Sequence, residues 1–187
     1  GFEIQKLIFV HDRCYDAGDI DAIRRLTALE ADRINGSAEM GGRKLRLEFV
    51  DDQRDAKKTV ANMRGILANP STVAVLGLAN STTAKTLFDE VGKDIRQSGM
   101  PFISDLSVSS LFADYANVFS TRGSQDNANL PVLRRFLKDS GAQRPAFIGI
   151  KNALFSAVMG DGLKGGDDIP PLVADHRLTL TNDKLDP

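Results

Sequence analysis

Hydroxyl side chains cluster twice in this sequence, at Ser81-Thr82-Thr83 and at Ser104, Ser107, Ser109 and Ser110. Each cluster directly follows a short apolar run, Val73 to Leu78 before the first and Phe102-Ile103 before the second. Hydroxyls and free N–H groups at a helix start suit a carboxylate or another small polar acceptor. Serine and threonine are also good N-caps and turn formers, so one such turn means little. Two of them after consecutive strands favour a ligand cradle. If the strands are parallel, both turns leave the same edge of the sheet, where open α/β folds bind ligands.

Other chemistry is weaker. Gly160 to Gly165 spells GxGxxG, but the pattern needs its glycines between a strand and a helix. Here the preceding strand ends near Ile150, so the glycines read as helix-stop residues. Asp12, Asp51 and Asp52 resemble the acidic pocket of a phosphoacceptor domain, yet the acceptor position holds Gly77-Leu78-Ala79-Asn80. The adjacent pair Asp51-Asp52 is expected to cap a strand end and to bind no metal, being short of the ~6 oxygen ligands calcium takes. His11 and His176 lie far apart in sequence, and there is no GxSxG elbow, P-loop or metal-ligand cluster. A Ser-His-Asp triad assembled across distance stays open. Asn35-Gly36-Ser37 and Asn80-Ser81-Thr82 fit the glycosylation sequon, a pattern common by chance.

The 187 residues, 42% of them hydrophobic, suffice for one domain, or one domain and a piece of another. A net charge of −1 from 24 basic and 25 acidic residues, well mixed, predicts neither nucleic-acid binding nor a polybasic membrane contact. Cys14 is the single cysteine, so no intrachain disulfide forms. No apolar run approaches the ~20 residues that span a bilayer. The chain opens at Gly1 just before the first apolar run, which reads as a mature or trimmed terminus.

The elements that must position the hydroxyl turns follow from periodicity. Ile4 to Val10 reads as a buried central strand, followed by the polar turn His11 to Asp16. Asp19 is placed to cap a helix from Ile20 to Asn35 with Ile20, Ile23, Leu26, Leu29 and Ile34 inward. Leu45 to Val50 is a strand, and Asp55 caps a helix with Val60, Met63, Ile66 and Leu67 inward. After Val73 to Leu78 comes a helix with Leu87, Val91 and Ile95 at four-residue spacing, stopped by Gly99 and Pro101. Leu111-Phe112 predicts an anchoring turn, Val118 to Thr121 a strand, and Asp126-Asn127 the cap of a helix carrying Leu130, Val132, Leu133 and Phe136. Pro145 to Ile150, a helix from Phe155 to Leu163, and a strand within Leu172 to Leu180 complete the pattern. This alternation predicts an α/β fold with a doubly wound, mostly parallel sheet, the Ile4 to Val10 strand flanked by Leu45 to Val50 and Val73 to Leu78.

The segments GGRKLRLEFVDDQRDAKKTVANMRGIL, VAVLGLANSTTAKTL, MPFISDLSVSSLF and VFSTRGSQDNANLPVLRRFLKDSGAQRPAFIGI resemble, in that order, those of type I periplasmic binding proteins. The likeness runs from about Ile4 to Gly165 and is nearest to branched-chain amino-acid and amide binding proteins, and to receptor ectodomains built the same way. It implies a first α/β lobe over residues 1–150 and, over 151–187, the crossover and the start of a second lobe. It implies that Ser81 binds a ligand carboxylate, with Thr82 beside it. The second turn contributes from among Ser107, Val108 and Ser109. Tyr15, in the turn after the first strand, and Phe155, at the position of a crossover tyrosine, complete the implied site. Phe155 lacks that tyrosine's hydroxyl, and the first-strand turn is bulky and charged, which departs from an amino-acid site.

The resemblance implies a periplasmic or extracellular solute-binding protein, not an enzyme and without a cofactor. It would hold a small-molecule ligand (amino acid, amide or related carboxylate) between lobes for an ABC-type transporter permease. The alternatives are the ligand-sensing ectodomain of a membrane receptor, with a signalling domain as partner, and a serine-dependent hydrolase. No nucleic-acid partner and no membrane insertion of this segment are expected.

Overall fold

A computed structural model describes residues 4–11, 17–53, 55–164, 167–181 and 184–186. The first sheet has five strands: β1 (Ile4–His11), β2 (Lys44–Asp51), β3 (Thr72–Gly77), β4 (Phe102–Ser104) and β5 (Val118–Ser120). Their order is β2-β1-β3-β4-β5 and every pairing is parallel. The Ile4 strand is thus flanked by the two strands expected beside it. Helices α1 (Ala17–Gly36), α2 (Ala56–Leu67) and α3 (Ser81–Ser98) make the crossovers. The step from β1 to β2 runs one way and the steps to β3 and β4 the other. Right-handed crossovers therefore put α1 on one face and α2 with α3 on the other.

The core lies under α2 and α3. Val60, Met63 and Ile66 of α2 and Leu87, Val91 and Ile95 of α3 bury against Val75, Phe102 and Val118 of the sheet. Asp55 caps α2 by accepting the N–H groups of Lys57 and Lys58, and Gly99 (φ 61) ends α3 in the left-handed conformation glycine favours. At the end of β2, Asp51 Oδ1 accepts the Gln53 N–H at 2.9 Å. The buried Asp52 accepts the Thr59 hydroxyl at 2.7 Å. Among the described residues no three His, Cys, Asp or Glu side chains gather as a metal would need, and no helix is long and apolar enough to cross a membrane.

Several expectations need correction. α1 begins at Ala17, so Asp19 lies inside it rather than at its cap. Its inward side is Ile23, Thr27, Ala31 and Ile34, while Leu26 and Leu29 are 67% and 65% exposed. The π-helical turn Gln125–Asn129 precedes α4 (Leu130–Asp139), and Ser124 rather than Asp126 caps it. Val132 and Phe136 of α4 point outward. Gly160 and Gly162 lie inside α5 (Leu154–Lys164), not at its end. A side chain at Gly160 would meet Phe147, and one at Gly162 would meet Leu130. These glycines let β6 and α4 pack closely on the helix. Gly165 lies outside the described residues.

A second sheet holds β6 (Ala146–Ile150), parallel to β7 (Ala174–Thr181), which pairs antiparallel with β8 (Lys184–Asp186). β6 therefore joins β7 and not the first sheet.

Candidate functional site

The first hydroxyl turn is set by the end of β3. Gly77 (φ 115) and Leu78 (φ 62) both take positive φ, and the chain leaves the sheet edge sharply. Asn80 then caps α3, its Oδ1 accepting the N–H groups of Thr82 at 2.9 Å and Thr83 at 3.1 Å. Because an asparagine does the capping, the Ser81 hydroxyl points elsewhere. It lies 3.3 Å from the Ser107 hydroxyl and accepts the Ser107 N–H at 3.3 Å. Both serines are buried. The two turns that follow β3 and β4 therefore meet, as parallel pairing of those strands requires.

The other half of the second turn is committed to structure. The Ser109 N–H and hydroxyl both donate to Asp126 Oδ1, at 2.9 and 2.8 Å, and the Ser110 N–H donates to Oδ2 at 2.8 Å. Burial alone would raise the Asp126 carboxyl. The donors from Ser109 and Ser110 outweigh it and hold the group well below the usual carboxylate range. Asp126 thus ties the turn after β4 to the start of the segment leading into the second sheet.

A cleft of about 460 Å³ opens along this edge. Ala79 to Thr83, Asp105 and Ser107 line its first side, Arg122 and Gln125 its junction, and Ile150, Asn152, Ala153 and Phe155 its far side. The two sides touch where the Leu154 N–H donates to Thr82 Oγ1 at 3.1 Å. Arg122 and Asp105 form an ion pair of 3.2 Å within the cleft.

The structure therefore gathers Ser81, Thr82, Ser107 and Phe155 in one cleft. Ser109 is not among the lining residues, and its hydroxyl serves Asp126. Tyr15 lies outside the described residues. Sequence reasoning missed Asn80, Asp105, Arg122, Gln125 and Asn152. A signal existed for two of them, since Asp105 and Arg122 are charged residues just past the ends of β4 and β5, on the edge that carries the serines.

The sequence profile of periplasmic binding proteins matches residues 22–165. The chain belongs to the periplasmic binding protein family. Solved structures agree in fold. An ABC transporter substrate-binding protein from Desulfitobacterium hafniense superposes with a TM-score of 0.72 at 18% identity, over 94% of this chain and 51% of that one. The branched-chain amino-acid substrate-binding protein LivJ of Streptococcus pneumoniae, solved with isoleucine, gives a TM-score of 0.73 at 14% identity, over 96% and 51%. A solute-binding protein from Rhodopseudomonas palustris, solved with 3,4-dihydroxybenzoic acid, gives 0.72 at 12%, over 96% and 48%. No curated protein matches the sequence. This periplasmic binding protein chain spans about half the length of the solved structures it matches. Its first sheet has the type I architecture of that family, with the cleft at the carboxyl ends of β3 and β4.

Proposed function

We propose that the protein captures a small polar ligand bearing a carboxylate, an amino acid or a related acid or amide, between two lobes, and delivers it to an ABC-type permease outside the cytoplasm. The observation that carries this reading is the meeting of the Ser81 and Ser107 hydroxyls at the start of α3. Buried hydroxyls at the positive end of a helix suit an anionic acceptor. In this reading the lobes change over after β5, so that β6 and α5 form the far wall and Phe155 packs on the ligand.

The test is titration calorimetry of the full-length protein against a panel of amino acids and amides, repeated with Ser81→Ala. A hydrogen bond to a charged ligand group is worth about 1–2 kcal/mol here, so affinity falls about five- to thirty-fold. The melting temperature moves little, because Asn80 keeps the α3 cap. Unchanged affinity with lowered melting would make Ser81 a brace between the two turns and nothing more.

A further inference from the structure

Most of the cleft is uncharged: Asn80, Ser81, Thr82, Thr83, Ser107 and Gln125 offer only neutral donors and acceptors. Among the described lining residues the full charges are one cation and one anion, Arg122 and Asp105, and they face each other at 3.2 Å. Their side chains are 51% and 35% exposed. We propose that this pair is an exchangeable counter-charge that selects net-neutral zwitterions over monoanions, which rests on the solute-binding reading above.

The argument is one of charge balance. A half-exposed ion pair is held weakly and opens easily. A ligand carboxylate can therefore draw Arg122 away from Asp105. If the ligand carries nothing else, Asp105 is left beside it as a second carboxylate without its cation. Closure of the cleft excludes water and makes that repulsion larger. A zwitterion leaves no such remainder, because its ammonium takes the place of the guanidinium at Asp105. The pair keeps its own neighbours in register for this. Thr121 Oγ1 reaches Asp105 Oδ1 at 3.4 Å, and the Arg122 N–H reaches the Ser120 hydroxyl at 3.4 Å. Asp105 and Arg122 thus sit at fixed places on adjacent strand ends while the bond between them is free to exchange.

The experiment compares each amino acid with the same molecule lacking its amine. Calorimetry of the full-length protein is run with leucine against 4-methylpentanoate, and phenylalanine against 3-phenylpropanoate. The expected result is that an amino acid binds about tenfold or more tighter than its des-amino partner. In Asp105→Asn that gap closes to under about threefold, the zwitterion losing and the anion gaining. Asp105→Glu restores it. In Arg122→Gln, with the cation gone, both ligands weaken and the anion weakens more. Asp105→Asn that leaves the gap intact would overturn the proposal, as would des-amino acids that bind the wild type as tightly as amino acids. That second outcome sinks only the charge selection, since a carboxylate binder would remain. If none of the four probes binds the wild type, this inference falls, and the solute-binding reading falls only if the wider panel above also fails. Melting curves accompany each variant, and if Asp105→Asn fails to fold, the Arg122→Gln comparison decides alone.

Discussion

Phe102→Ala lowers stability by about 3–5 kcal/mol, the range for emptying a buried aromatic site. Phe102 is fully buried and sits on β4 with Val75 on one side and Val118 on the other. It faces the α3 side chains Leu87, Val91 and Ile95, all in the same core. The surrounding backbone cannot easily follow a shrinking side chain. The Phe102 N–H is held by the Asn117 carbonyl at 2.8 Å, and the Asn117 side chain donates to Ile95 and Met100 carbonyls at 2.9 and 2.8 Å. The cavity therefore stays open. Since domains hold only about 5–15 kcal/mol in total, the loss is a large share. Urea unfolding measures it, and Phe102→Leu, which keeps most of the volume, should cost well under half as much. A loss below about 1 kcal/mol for the alanine would mean that β4 is not packed under α3.

Asp126→Ala has the next largest effect, about 2 kcal/mol, after allowance for the partial exposure of the carboxylate. The variant removes the acceptor of four donors, the Ser109 N–H and hydroxyl, the Ser110 N–H and the neighbouring Asn127 N–H. It also unties the turn after β4 from the segment leading to the second sheet. The pH dependence separates this role from simple packing. A carboxyl held below its unfolded value of about 3.9 contributes stability above that pH. The contribution is lost as pH falls toward the folded value. The wild type should therefore lose part of its advantage over Asp126→Ala below about pH 4, and the two unfolding curves should converge in acid. A constant gap from pH 7 to pH 3 would argue against a charge-dependent tie.

The first sheet was legible because its signals are local. Contiguous apolar runs marked β1 and β3, the Asp55 cap marked α2, and the Leu87-Val91-Ile95 spacing with Gly99 marked α3. The hydroxyl turns were legible for the same reason, as polar residues past strand ends. What escaped depends on partners distant in sequence. Asp126 has every mark of a local cap, yet most of its donors sit 16 and 17 residues upstream, and Ser124 caps instead. Leu26 and Leu29 fit a helical stripe, but which of two adjacent stripes faces the sheet depends on where the sheet lies. Gly160 and Gly162 resemble stop signals until Phe147 and Leu130 are seen against them. Asp105 and Arg122 are ordinary surface charges in the sequence and become a pair only when β4 and β5 align.

Leu78 carries a consequence for how the sequence can vary. Its side chain is 5% exposed in the core while its backbone sits at φ 62, a region that costs an L-residue about 1–2 kcal/mol. Glycine would relieve the backbone and forfeit the packing, a net loss because emptying a buried leucine site costs about 2–5 kcal/mol. Asparagine would accept the backbone and bring an amide into an apolar setting. Valine or isoleucine would keep the core apolar and worsen the strain. Each of these changes costs stability, although Leu78 is not among the cleft-lining residues. In a saturation library scored by transport or growth, this position will therefore look as intolerant as a binding residue. Only a separate reading of folded protein abundance will reveal that the turn, and not the ligand, imposes the restriction.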